Sequence, residues 1–221
     1  KGFIVKQAGL WQVVAMSRGV LYMLISVVCF SVVHAGVKYL SRLPFYEVVF
    51  VRALISFAIC FYYLRSKKIP ILGNAKGNLF LRGVFGTVAL MAYFYTLQEM
   101  PLATAVTLQY SSPIFTIIFA YLLLKEKVHP VQWLCFLGAF VGVVLVKGFD
   151  SRVELFDMIF ALVGAVGAGL AYTYVRKLKD TDHPMVVVLY FPFVTLPFIG
   201  PYAIYNWVMP IGHEWFVLLG V

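Results

Sequence analysis

Seven times along the chain an apolar run, most of them long enough to cross a bilayer, gives way to a short polar turn. That rhythm constrains the fold more than any other feature. A hydrocarbon core about 30 Å thick takes about 20 helical residues to cross. The runs fall at 19–39, 45–64, 79–98, 102–124, 132–146, 155–175 and 184–205, and an eighth begins near Glu214. Composition agrees: 62% of residues are hydrophobic and 12% are charged, against roughly 45–50% and about 25% in soluble domains. The chain reads as an all-α integral membrane protein.

The net charge of +9 suggests nucleic acid until it is sorted by side. Lys1, Lys6, Arg18, Arg65, Lys67, Lys68, Lys76, Lys125, Lys127, Arg176, Lys177 and Lys179 gather on the side of the N-terminus. Only Lys38, Arg42, Lys147 and Arg152 lie on the other. Lys and Arg are retained in cytoplasmic loops, so this asymmetry predicts a cytoplasmic N-terminus and no nucleic-acid partner. The partners expected are the bilayer, a small-molecule substrate and, as an open possibility, a second copy in a homodimer. Residues 1–15 precede Met16-Ser17-Arg18 and are read as interfacial or non-native.

Spans one and six carry a weak internal repeat. Val37-Lys38 and Val175-Arg176 are each followed by a polar linker, then by Pro44 or Pro184, then by an apolar helix. The copies start five spans apart, and an odd number of spans inserts the second copy upside down. Such inverted repeats recur in secondary transporters, with the substrate site near the midplane. The expected organisation is one five-helix repeat over 16–150 and an incomplete second repeat over 151–221, as in a fragment of a longer protein.

Several motifs from span two to span five occur together. They are Val51-Arg52-Ala53-Leu54, Tyr95-Thr96-Leu97, Pro101-Leu102-Ala103-Thr104-Ala105, Ser112-Pro113, Leu124-Lys125-Glu126-Lys127, Gln132 and Gly138-x-x-x-Gly142. In this combination the chain resembles the first repeat of the EamA-type transporters of the drug/metabolite transporter superfamily. The resemblance implies ten helices in two inverted repeats, both termini in the cytoplasm, a plasma-membrane location and movement of small metabolites, often outward.

Polar residues inside the spans are the candidate site. Gln109, Ser112 and Thr116 share one face of an uninterrupted helix at i, i+3, i+7, near the bilayer centre. Pro113 cannot donate to the carbonyl of Gln109, which predicts a kink. The stripe either lines a polar cavity or glues helices together. Tyr95 and Gln98 lie on one face of span three and are candidates for substrate contact, although Tyr95 is also placed for an interfacial aromatic belt. Arg52 lies eight residues into span two, where an unpaired charge costs about 2.5–3.5 kcal/mol or more. Contact with substrate or gate, a structural pair with another helix or an exposed carbonyl, and snorkelling all remain open for it. His34, Lys38 and Glu47 form a candidate outer gate or coupling group. Pro192 and Pro197, with Pro201, predict a bent or broken span seven.

The expected function is secondary transport, most plausibly export, of a small polar organic metabolite by alternating access. A structural subunit of a membrane complex and a lipid-modifying enzyme are the alternatives. The carboxylates are too scattered for the latter, and the sequence shows no Walker loop, metal-ligand spacing or hydrolase elbow. No catalytic residue, metal or cofactor is expected.

Overall fold

The computed structural model describes residues 18–126 and 154–221, with 131, 134, 138, 141, 142 and 145 between them. The helices are α1 (Arg18–Tyr39), α2 (Phe45–Ser66), α3 (Lys76–Glu99), α4 (Leu102–Gln109), α5 (Ser112–Leu124), α6 (Leu155–Leu178), α7 (Pro184–Tyr205) and α8 (Glu214–Gly220). The described residues contain no strand. Six spans are long and apolar enough to cross a membrane, with α4 and α5 together making one of them. The all-α membrane architecture therefore stands. Residues 1–15, most of the fifth span and the Lys147–Arg152 loop lie outside the described residues.

Two expectations concern prolines. The fourth span departs from regular α-helix at Tyr110 and Ser111, two to three residues before Pro113, where the missing donor of that proline predicts the kink. Pro113 occupies the first turn of α5, where its missing N–H costs nothing because that N–H would be unpaired in any helix. Conversely α7 runs unbroken over 22 residues with Pro192, Pro197 and Pro201 inside it. It packs along both α2 and α3, and the Thr87 and Thr195 hydroxyls meet at 2.7 Å in the interior.

The closest helix pair is α3 with α6, and small residues allow it. A Cβ on Gly164 would lie 3.3 Å from that of Ala92, and one on Gly167 would lie 3.3 Å from that of Ala89. Gly169 faces α5, where a Cβ would stand 2.6 Å from the Cβ of Phe115 and 2.9 Å from the backbone nitrogen of Thr116. No side-chain rotation relieves a clash with backbone. We expect Gly169→Ala to force α5 and α6 apart and lower stability by about 1–3 kcal/mol, as overpacking does. A fall in the thermal midpoint of the purified protein checks this, and an unchanged midpoint refutes it.

Buried apolar residues form two separate clusters. One includes Val37, Leu40, Leu43, Val48, Leu97, Ile199 and Leu218. The other includes Cys60, Leu64, Leu79, Leu178, Val186 and Leu189. On α2, α3 and α7 alike, the first cluster sits toward one end of the bundle and the second toward the other. The first is called here the Arg42 end and the second the Asp182 end. α1 joins the bundle through its last turns, and Cys29 lies on its exposed face, not buried as a small apolar residue would be.

Candidate functional site

Between the two dry clusters lies a belt of polar and small residues. α2 contributes Arg52 and Ser56, α3 contributes Arg82, Gly86 and Thr87, and α7 contributes Thr195. His34 of α1 meets the Tyr93 hydroxyl at 3.2 Å, with the two rings edge to face. The Arg52 guanidinium donates from Nη1 to the carbonyl of Val221 at 2.6 Å and lies 5.7 Å from the centre of the Phe94 ring. Arg52, Ile55, Ser56, Leu219, Gly220 and Val221 line a cavity there. Arg52 therefore points into the protein, toward α8 and α3, and does not snorkel.

Each end of the bundle is tied by a loop. At the Arg42 end, Arg42 forms an ion pair with Glu214, the first residue of α8, with Nε at 2.8 Å from Oε1. It also donates to the carbonyl of Met209 at 3.0 Å. This hydrogen-bonded carboxylate raises the Arg42 pKa above its ordinary value. Glu47 is fully buried and accepts from the backbone N–H of Val208 at 3.0 Å. At the Asp182 end, the Asp182 carboxylate accepts from the backbone N–H groups of Asn74 at 2.5 Å and Ala75 at 3.2 Å. Asn74 returns a bond to the carbonyl of Thr181 at 2.9 Å. Ala75 is the N-cap of α3 and has no side-chain acceptor of its own. Asp182 thus caps the positive end of α3 from another loop. Gly73, at φ 61°, makes room for it: a Cβ there would lie 2.5 Å from Asp182 Oδ1.

The other sequence candidates have mixed placements. Lys38 donates to the carbonyls of Gln98 at 2.6 Å and Met100 at 2.8 Å, closing the C-terminus of α3. The Gln98 amide donates to the carbonyls of Leu40 at 3.3 Å and Leu43 at 3.0 Å. Both side chains secure the 40–44 loop instead of facing the belt. The Tyr95 hydroxyl donates to Asp157 at 3.1 Å, at the same end. His34, Lys38 and Glu47 do not converge: each has a different partner. The Thr116 hydroxyl donates to the carbonyl of Ser112 at 2.9 Å, and Thr173 of α6 donates to the carbonyl of Thr116 at 3.2 Å. Ser112 and Thr116 therefore lie in the α5–α6 contact, whereas Gln109 ends α4 half-buried. Pro192 and Pro197 flank Thr195 on α7.

Arg42, Asp182 and Arg82 were missed in the sequence. A signal existed for the first two. Counted back from the prolines of the weak repeat, Arg42 is two residues before Pro44 and Asp182 is two residues before Pro184. Groups of three or more His, Cys, Asp or Glu residues able to hold a metal are absent among the described residues.

Residues 17–148 match the model of the EamA-like transporter family. The chain is 31% identical over 209 residues to a pseudopaline exporter of Pseudomonas aeruginosa, covering 93% of this chain and 74% of that protein. It is 30% identical to solute carrier family 35 member G1 of Mus musculus, covering 92% of this chain and 61% of the carrier. It is 27% identical to a riboflavin transporter of Vibrio cholerae, covering 92% and 70%. A solved crystal structure shares the fold, with a TM-score of 0.59 at 18% identity over 87% of this chain and 72% of that one.

Proposed function

The chain belongs to the EamA-like transporter family, and on that premise we propose that it exports a small polar organic metabolite across the plasma membrane by alternating access. The observation that carries this reading is the polar belt, placed between two apolar clusters with a loop latch over each. A carrier of this kind needs a central site that each side reaches in turn, and that requires one seal per side.

The helix contacts support an inverted repeat. In span numbers the contacts include two with seven, three with six and, far less extensively, one with eight, beside four with six and three with seven. An axis exchanging span n with span n+5 leaves the first pair unchanged and turns three-with-six into eight-with-one. The same exchange carries the Arg42 loop onto the Asp182 loop and the start of α8 onto the start of α3. The two latches are then the same contact used twice, with the charges altered. The basic-residue count puts the Arg42 end outside and the Asp182 end in the cytoplasm. Two relatives, an exporter of pseudopaline and a transporter of riboflavin, support an organic cargo, and the first supports the outward direction.

The test is flux. Proteoliposomes of the full-length protein, loaded with the metabolites that accumulate outside overexpressing cells, are expected to release at least one of them faster than protein-free liposomes. Equal release overturns the transport reading. Orientation is checked separately. An impermeant thiol reagent is expected to label Ser41→Cys on intact cells and Ser66→Cys only after lysis, and the reverse pattern would invert the assigned topology.

A further inference from the structure

Arg82 is the second arginine inside a span, and its surroundings differ from those of Arg52. It is the seventh residue of α3, about 9 Å from the helix start at 1.5 Å per residue, within the half of the bundle nearer the Asp182 end. Its Nε and Nη1 are sealed from solvent and have no hydrogen-bond partner among the described residues. A buried donor left unpaired costs about 1–3 kcal/mol, and more when charged. Yet the site is shaped around this side chain. A Cβ on Gly86 would stand 2.5 Å from Nη1, so the guanidinium lies directly against the bare backbone of Gly86. The Phe191 ring of α7 covers it, 6.0 Å from Cζ to the ring centre. Tyr172 of α6 is near enough to act on it electrostatically. No acidic side chain among the described residues pairs with it.

A guanidinium presents a planar fork of donors that suits carboxylate and phosphate oxygens. An intramembrane ionisable residue marks a functional site by default. We propose that Arg82 is an anion station in the cytoplasmic half of the pathway, which binds the carboxylate or phosphate group of a small solute once the Phe191 ring rotates aside. The inference rests on the transport reading and narrows its substrate class to molecules carrying an oxyanion. Phe94, which stacks on Arg52, is twelve residues beyond Arg82 on α3, or about 18 Å. The two arginines therefore serve different depths of one path, and a solute leaving Arg82 travels toward Arg52.

Binding is tested apart from flux. The full-length protein in phosphatidylcholine nanodiscs is titrated with sodium succinate and with inorganic phosphate, against sodium chloride of equal ionic strength. The wild type is expected to show a saturable rise in thermal midpoint with at least one of the two anions. Arg82→Gln, which removes a buried unpaired charge and so does not lower the basal midpoint, is expected to need at least tenfold more anion. Arg82→Lys is expected to fall between them. An Arg82→Gln titration matching the wild type overturns the proposal, and so does a wild type with no saturable rise. A rise produced only by phosphatidylglycerol in the discs, and not by either solute, assigns Arg82 to a lipid headgroup and also overturns it. A protein that moves metabolites but binds neither anion loses this site and keeps the transport reading. One that binds anions through Arg82 but moves nothing keeps the site and loses transport.

Discussion

Asp182→Ala is expected to open the Asp182 end of the bundle, which the proposed topology places in the cytoplasm, and Arg42→Ala the opposite end. The cause is the asymmetry of buried hydrogen bonds. Asp182 is 9% exposed, and it satisfies two backbone donors at the start of α3. Removing it leaves both donors and a helix N-terminus without an acceptor in the closed arrangement. In the open arrangement water replaces it. A cost of about 1–3 kcal/mol applied to only one of two conformers shifts their ratio by roughly 5- to 150-fold. The outer latch is more exposed, and an exposed ion pair is worth less, so the shift from Arg42→Ala is smaller. Spin-label distances check both. Labels at Leu72 and Lys179 span the cytoplasmic latch, and labels at Ser41 and Met209 span the outer one. Asp182→Ala is expected to add a longer component to the first distance alone, and Arg42→Ala to the second alone. Each single variant turns over more slowly than the wild type, because one seal no longer closes. The double variant, with both ends biased alike, recovers speed relative to Asp182→Ala. If neither distance changes in either variant, the loops only cap helices and the latch reading falls.

These latches also mark where sequence reading succeeded and where it stopped. Span positions followed from apolar length because lipid leaves the backbone no alternative to helix. Lys76 starts α3 three residues before the apolar run does, since a basic residue sits comfortably at the interface. The glycines of α6 lie against α3 and α5, where a side chain would not fit. The Gln109–Ser112–Thr116 stripe was legible only as a choice between cavity and helix packing, because the partner that decides for Thr116, Thr173 of α6, lies 57 residues away. Arg42 was absorbed into the count of basic loop residues. A charge in a turn carries two messages, orientation and pairing, and sequence delivers only the first. Asp182 is harder still. Its partners are backbone N–H groups more than a hundred residues away, which no residue-type pattern encodes. Nothing in the sequence marks Arg82, three residues into its apolar run, as covered, and only the packing of Phe191 over it shows this.

Arg52→Ala is expected to cut transport at least tenfold while leaving expression and thermal midpoint close to wild type. The guanidinium is held by one carbonyl, that of Val221, and by the face of Phe94. Those contacts leave most of its five donors available to a solute in the lined cavity. A charge-assisted hydrogen bond contributes about 1.5–3 kcal/mol, which corresponds to roughly 10- to 150-fold in the rate at low substrate. Folding does not need the charge, because an intramembrane arginine is costly to bury and alanine removes that cost along with the contacts. Arg52→Lys keeps a point charge without the planar fork, so it restores part of the rate. The concentration dependence separates two roles. If Arg52 contacts substrate, the half-saturating concentration rises and the maximal rate changes little. If it ties α8 to α2 during closure, the maximal rate falls and half-saturation holds. Transport by Arg52→Ala within twofold of wild type excludes both roles and leaves Arg52 as a packing residue of the α2–α3–α8 contact.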